Sequence, residues 1–122
     1  MKAIITGGSG FIGTNLVERF LDMGWEVLNI DLAEPRNRKH LHLWRRVDLL
    51  DREAMIDVFR SYKPDVVLHM AARTDLHESR SIKGYAANTD GVANVIEAVR
   101  RMYARQSLSR ELCLPLADSF AR

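Results

Sequence analysis

The chain has 122 residues, 47% of them hydrophobic and 28% charged, with a formal net charge of +2. That length gives one domain, able to bury about two-thirds of its unfolded surface. So small a charge does not imply nucleic acid or a membrane surface as the main partner, and neither is expected; no apolar run approaches the roughly 20 residues of a membrane span. The single cysteine, Cys113, excludes an internal disulfide and fits a reducing compartment. Because Met1 runs straight into a strand-forming segment, no signal peptide is expected, and the expected location is the cytoplasm.

In chain order, Lys2-Ala3-Ile4-Ile5-Thr6 predicts a short buried strand, and Gly7-Gly8-Ser9-Gly10-Phe11-Ile12-Gly13 predicts a glycine turn opening a helix. Ile12, Leu16, Val17, Phe20 and Leu21 recur at helical spacing, with Gly24 placed to end the helix. Glu26 to Asp31 forms a second strand. Residues 33–42 make a polar, basic connection containing Pro35. A third strand is expected over Leu43–Leu49, with Leu43, Val47 and Leu49 on one alternating face. Asp51 can cap a helix whose stripe is Met55, Val58, Phe59 and Tyr62, and Lys63-Pro64-Asp65 breaks it. Val66 to Met70 is a nearly continuous apolar run, suited to the interior of a parallel sheet. A long helix is expected from Glu78 to Met102, turning Tyr85, Val92, Val95, Ile96 and Val99 towards the core. Residues 103–122 read as a divergent tail, because Ser107-Leu108-Ser109-Arg110 and Pro115 interrupt any regular pattern.

Strands alternating with helices imply parallel βαβ units with right-handed crossovers. The expected fold class is α/β: a doubly wound Rossmann-type parallel sheet, strand order 3-2-1-4, with helices on both faces. The switch point then falls between the first and fourth strands. A glycine turn there lets backbone approach a pyrophosphate, and the helix start aims free N–H groups and about half a positive charge at it. Asp31, some twenty residues on, can accept hydrogen bonds from adenosine ribose hydroxyls. A carboxylate at that position repels a 2′-phosphate, which favours NAD over NADP, although Arg36, Arg38 and Lys39 stand nearby.

Four blocks together resemble the NAD-dependent epimerase/dehydratase family, the extended short-chain dehydrogenase/reductases that act on nucleotide sugars. They are Thr6 to Gly13; Asp31 with Asp48-Leu49 leading into Asp51; Pro64 to Ala72; and Tyr85 to Ala98. The resemblance covers residues 1–102 and implies a site. Gly7, Gly10, Phe11, Ile12 and Gly13 wrap the pyrophosphate, and Asp31 holds the adenosine ribose. Asp48 and Leu49 border the adenine, while Ala71, Ala72 and Arg73 lie on the nicotinamide side. Asn88 sits near the active-site end of the long helix. The same resemblance implies a homodimer through helix 78–102.

Hydride-transfer members of the family use a Tyr-x-x-x-Lys pair, in which a lysine one turn on lowers the phenol pKa from near 10 so that it can take a hydroxyl proton. Here Tyr62 is followed at that spacing by Val66, Tyr85 by Thr89 and Tyr103 by Ser107. No catalytic residue is therefore assigned. The expectation is an NAD-binding N-terminal part of such a protein, lacking the catalytic pair and the substrate portion, with a nucleotide-sugar partner only if that portion is supplied. The alternatives are a non-catalytic NAD-binding or interaction module and a truncated remnant without function. His40 and His42 in the basic loop lack a third ligand, so no metal site is expected. His69 is expected as a largely buried strand residue. Arg73, Thr74, Asp75 and His77 are expected in a loop facing the crevice.

Overall fold

A computed structural model describes residues 1–72 and 82–106, with side chains in the last helix described from Asn88 to Ala104. The elements are β1 (Lys2–Thr6), α1 (Phe11–Asp22), β2 (Glu26–Ile30), a 3₁₀ helix (Arg38–Leu43), β3 (Trp44–Arg45), α2 (Arg52–Tyr62), β4 (Val66–His69) and α3 (Ile82–Gln106). The four strands form one sheet in the order β3-β2-β1-β4. All pairings are parallel: Lys2–Thr6 lies against Glu26–Ile30, and Ala3–Thr6 against Val66–His69. This is the doubly wound half-sheet that the alternation of elements predicted.

β1 is apolar at successive positions because both its faces are covered. Ile4, with Leu28 and Ile30 of β2, packs beneath Met55, Ile56 and Phe59 of α2 and Val95 and Ala98 of α3. Ile5 and Val27 face the other way, onto Val17 of α1. Helices therefore lie on both faces. Residues of neighbouring strands reach the same end of the sheet, where the chain leaves β1, β2 and β4.

Helix ends are set locally. Gly24 takes φ +79°, and Trp25 N–H bonds Phe20 O at 3.0 Å while Gly24 N–H bonds Leu21 O at 2.9 Å. That pair of bonds is a Schellman stop, sealed by Trp25 packing edge-on against Phe20 with ring centroids 5.0 Å apart. At α2, Asp51 Oδ1 accepts the Ala54 N–H at 3.1 Å, as an N-cap should. Lys63 ends the helix in the left-handed region with φ 55°.

Three expectations change. The third strand is two residues long instead of spanning Leu43–Leu49. Leu43 belongs to the 3₁₀ helix and packs with the α1-side core, while Val47 and Leu49 join the opposite core. Beyond Arg45 the chain leaves the sheet and turns across its end. The last helix runs Ile82–Gln106 instead of ending at Met102. Its buried stripe is Gly91, Val95, Ala98 and Met102, with Val99 partly covered. Val92 and Ile96, expected inward, are 41% and 61% exposed. Gly91 packs on Leu49 and Ala98 on the α2 side of the core, so Val92 and Ile96, each one position on from a buried residue of that stripe, are turned outward. The Tyr85 side chain lies outside the described residues, as do Arg73, Thr74, Asp75 and His77.

Candidate functional site

Where β1, β2 and β4 end, the chain leaves a cleft of about 490 Å³. One wall is the turn between β1 and α1. Gly7 adopts φ +73°, and a Cβ there would stand 2.6 Å from Ala71 N, so only glycine lets the turn sit against the segment after β4. Gly13 packs its Cα against the same turn, and a Cβ would strike Gly7 O and Gly8 Cα. The helix thus begins directly on the loop. Gly10 is its N-cap, with no side-chain cap and no acidic residue in the first turn. An anion supplied from outside can meet those N–H groups and the positive end of the dipole.

Asp31 forms the next wall. Its Oδ2 accepts the Ser9 N–H at 3.1 Å and its Oδ1 accepts the Ala33 N–H at 3.0 Å. Trp44 Nε1 donates to Asp31 O at 2.9 Å, anchoring the backbone as well. Each carboxylate oxygen keeps a further lone pair for a ligand hydroxyl. Below it run Val47, Asp48, Leu49 and Leu50. Asp48 Oδ1 accepts the Leu50 N–H at 2.9 Å, folding this segment into a tight turn. Asn94 Nδ2 donates to Leu49 O at 2.8 Å, and Gly91 lies against the Leu49 side chain, so α3 holds the turn in place.

The far side comprises His69, Met70, Ala71 and Ala72, with Asn88 closing from α3. Thr6 Oγ1 stands 2.7 Å from His69 Nδ1 and accepts the Ala71 N–H at 3.4 Å, tying the ends of β1 and β4 together. Burial lowers the His69 pKa below its ordinary 6.5, so the imidazole is neutral at pH 7. His69 is half-buried rather than largely buried, because β4 is covered by a neighbouring strand on one side among the described residues.

Of the residues the sequence singled out, the cleft brings together Gly7, Gly10, Asp31, Asp48, Leu49, Ala71, Ala72 and Asn88. Phe11 and Ile12 begin α1 with exposed side chains and Gly13 is buried behind the loop, and none of the three is in the lining of the cleft. Sequence reasoning missed Leu32, Val47, Leu50, Met70 and Gly91 in the lining, and Ser9 and Asn94 behind it. Ser9, Met70, Gly91 and Asn94 lay within the blocks that carry the resemblance without being given a role, and Val47 was an apolar residue just before Asp48. In the basic loop, His40 is buried and His42 exposed, and no group of metal-ligating side chains exists among the described residues. No helix among them is long and apolar enough to cross a membrane.

Comparison with known proteins agrees with this geometry. The chain is 34% identical over 124 residues to a probable dTDP-glucose 4,6-dehydratase of Sinorhizobium fredii, covering 91% of this chain and 35% of the relative. It is 35% identical over 107 residues to a UDP-glucose 4-epimerase of Streptococcus mutans, covering 81% and 32%. The fold superposes on the UDP-glucose 4-epimerase of Thermus thermophilus in complex with NAD, with TM-score 0.73, 33% identity, and coverage of 84% and 34%. The chain thus spans about a third of the length of the relatives it matches, their N-terminal third. Residues 3–109 match the NAD dependent epimerase/dehydratase family, and the chain belongs to that family.

Proposed function

We propose that this chain is the NAD-binding part of a nucleotide-sugar epimerase or dehydratase, its folded portion continuing through α3 past the boundary at 102 that the sequence suggested. The observation that carries this reading is the Asp31 carboxylate, fixed by two amides beside a glycine turn that opens an uncapped helix start. The family match and the NAD-bound relative support it.

The residues fit the dinucleotide. Gly7 and Gly10, with the amides of Phe11, Ile12 and Gly13, would hold the pyrophosphate. Asp31 would accept the adenosine ribose hydroxyls, and its charge favours NAD over NADP. Asp48 and Leu49 would flank the adenine. Ala71 and Ala72, with Arg73, would run beside the nicotinamide, and Asn88 would bound that end. NAD supplies reversible hydride acceptance when bound. The chain's own part is to seat and orient it. No tyrosine in these 122 residues has a lysine four positions on, so the proton transfer that accompanies sugar oxidation falls to a portion outside them. A nucleotide sugar would be met only with that portion present. We place the protein in the cytoplasm, and we propose the exposed Val92–Ile96 face of α3 as the surface that meets a second copy.

Calorimetric titration of the 122-residue chain tests the cofactor assignment. NAD should bind more tightly than NADP, and Asp31→Ala should weaken NAD about 10- to 100-fold, as expected for a charged hydrogen-bonding pair. Unchanged NAD affinity in Asp31→Ala would refute the ribose assignment.

A further inference from the structure

Asn29 is fully buried in β2, on the α1 side of the sheet, directly under the glycine turn. A Cβ on Gly8 would stand 2.6 Å from Asn29 Cγ, so the turn rests on this side chain. Its Nδ2 donates to Ser9 Oγ at 3.0 Å, and Ser9 Oγ donates to Ala33 O at 2.8 Å. Ser9 also gives its N–H to Asp31 Oδ2, and Ala33 gives its N–H to Asp31 Oδ1. Ser9, Asp31 and Ala33 close a ring in which one hydroxyl, held from below by Asn29, joins the glycine turn to the segment after β2, and each end of that bridge grips one carboxylate oxygen.

We infer that Ser9 and Asn29 are positioning residues for the cofactor's adenosine ribose, acting through Asp31. The inference rests on the proposed NAD reading of the cleft. Its physical basis is preorganisation. A carboxylate already oriented by two amides loses little freedom when two vicinal hydroxyls bind, whereas a swinging one must be ordered at that moment. The Ser9 hydroxyl keeps both amides in place, since it both donates to the Ala33 carbonyl and is itself held by Asn29. Without it, Ala33 is released from the turn and the Asn29 amide is left buried without its acceptor, an arrangement that relaxes by moving the loop. The bond to Ser9 gives a reason for a polar side chain at this buried strand position, paired in register with Ile5.

A double-mutant cycle read by calorimetry with NAD tests this, with thermal unfolding recorded for each variant. In the Asp31 background, Ser9→Ala should weaken NAD about tenfold. In the Asp31→Ala background, the same change should alter NAD affinity by less than about twofold, because the group it positions is gone. Asn29→Ser, which removes the amide that holds the Ser9 hydroxyl, should repeat the pattern and replaces Ser9→Ala as the test if that variant loses its cooperative transition. Equal losses in both backgrounds, or no loss while NAD still binds, would overturn the positioning role and leave the cofactor reading standing. Failure of the unmodified chain to bind NAD would overturn the cofactor reading, and the positioning role with it.

Discussion

At the scale of single residues, the glycines of the turn divide by what stands behind them. A Cβ at Gly10 meets nothing nearer than Gly7 O at 3.4 Å, and Gly10 is extended with φ −76°, so alanine fits there. A Cβ at Gly13 collides with backbone that cannot move aside. Gly10→Ala should therefore cost less than about 1 kcal/mol of stability while obstructing the cleft and weakening NAD. Gly13→Ala should cost about 2 kcal/mol or more. Chemical denaturation of the two variants side by side checks the contrast. The glycine run was plain in the sequence, but it could not say which glycine serves the ligand and which serves the fold. His69 gives a pH dependence. Its burial lowers the folded pKa below 6.5, so as pH falls the unfolded chain takes up the proton first, and stability drops. Denaturant midpoints should fall between about pH 7 and pH 5, and the fall should be shallower in His69→Asn. Identical slopes would mean that other groups govern acid unfolding. Glu97 acts in the same direction lower on the scale. The hydrogen bond from Arg101 holds its carboxyl below the usual range, helped by Arg100 and Arg52, so its contribution is lost as acid protonates it.

At the scale of elements, the helix stops differ in chemistry though both use the left-handed region. Gly24 takes φ +79° without strain and has open space around it, so Gly24→Ala should destabilise by about 1 kcal/mol through backbone strain alone. Lys63 holds φ 55° with a side chain that disfavours it, so Lys63→Gly should leave stability unchanged or raise it by up to about 1 kcal/mol. Thermal melts of the two variants should move in opposite directions or, at the least, only Gly24→Ala should fall. Gly24, Asp51 and the Lys63-Pro64 break were readable because caps and breakers act within a few residues. The third strand was not. Leu43, Val47 and Leu49 alternate like a strand, yet the chain bends after Arg45 because Trp44 bonds back to Asp31 and Asn94 reaches over from α3 to Leu49. Those partners are 13 and 45 residues away in sequence, beyond the reach of a periodicity argument.

At the scale of the whole molecule, one surface is incompletely accounted for among the described residues. α3 turns Val92 and Ile96 outward, at 41% and 61% exposure, opposite the stripe that packs on α2. If that face meets a second copy, Ile96→Glu should shift a concentration-dependent dimer to monomer by sedimentation while leaving NAD affinity within about twofold, because the cleft is elsewhere. A monomeric unmodified chain at high concentration would dispose of the assembly.

Local chemistry written along the chain determined the order of strands and helices, the glycine turn, the position of Asp31 and the missing tyrosine–lysine pair, because each depends on neighbours a few residues apart. Tertiary structure alone decided which side of α3 is buried, how short β3 is, and that Ser9, Asn29 and Ala33 close around the Asp31 carboxylate. These last depend on residues 20 to 24 positions apart meeting through space. A pattern of side-chain types records what each residue can bond, and the packing of the sheet chooses which of those bonds is made.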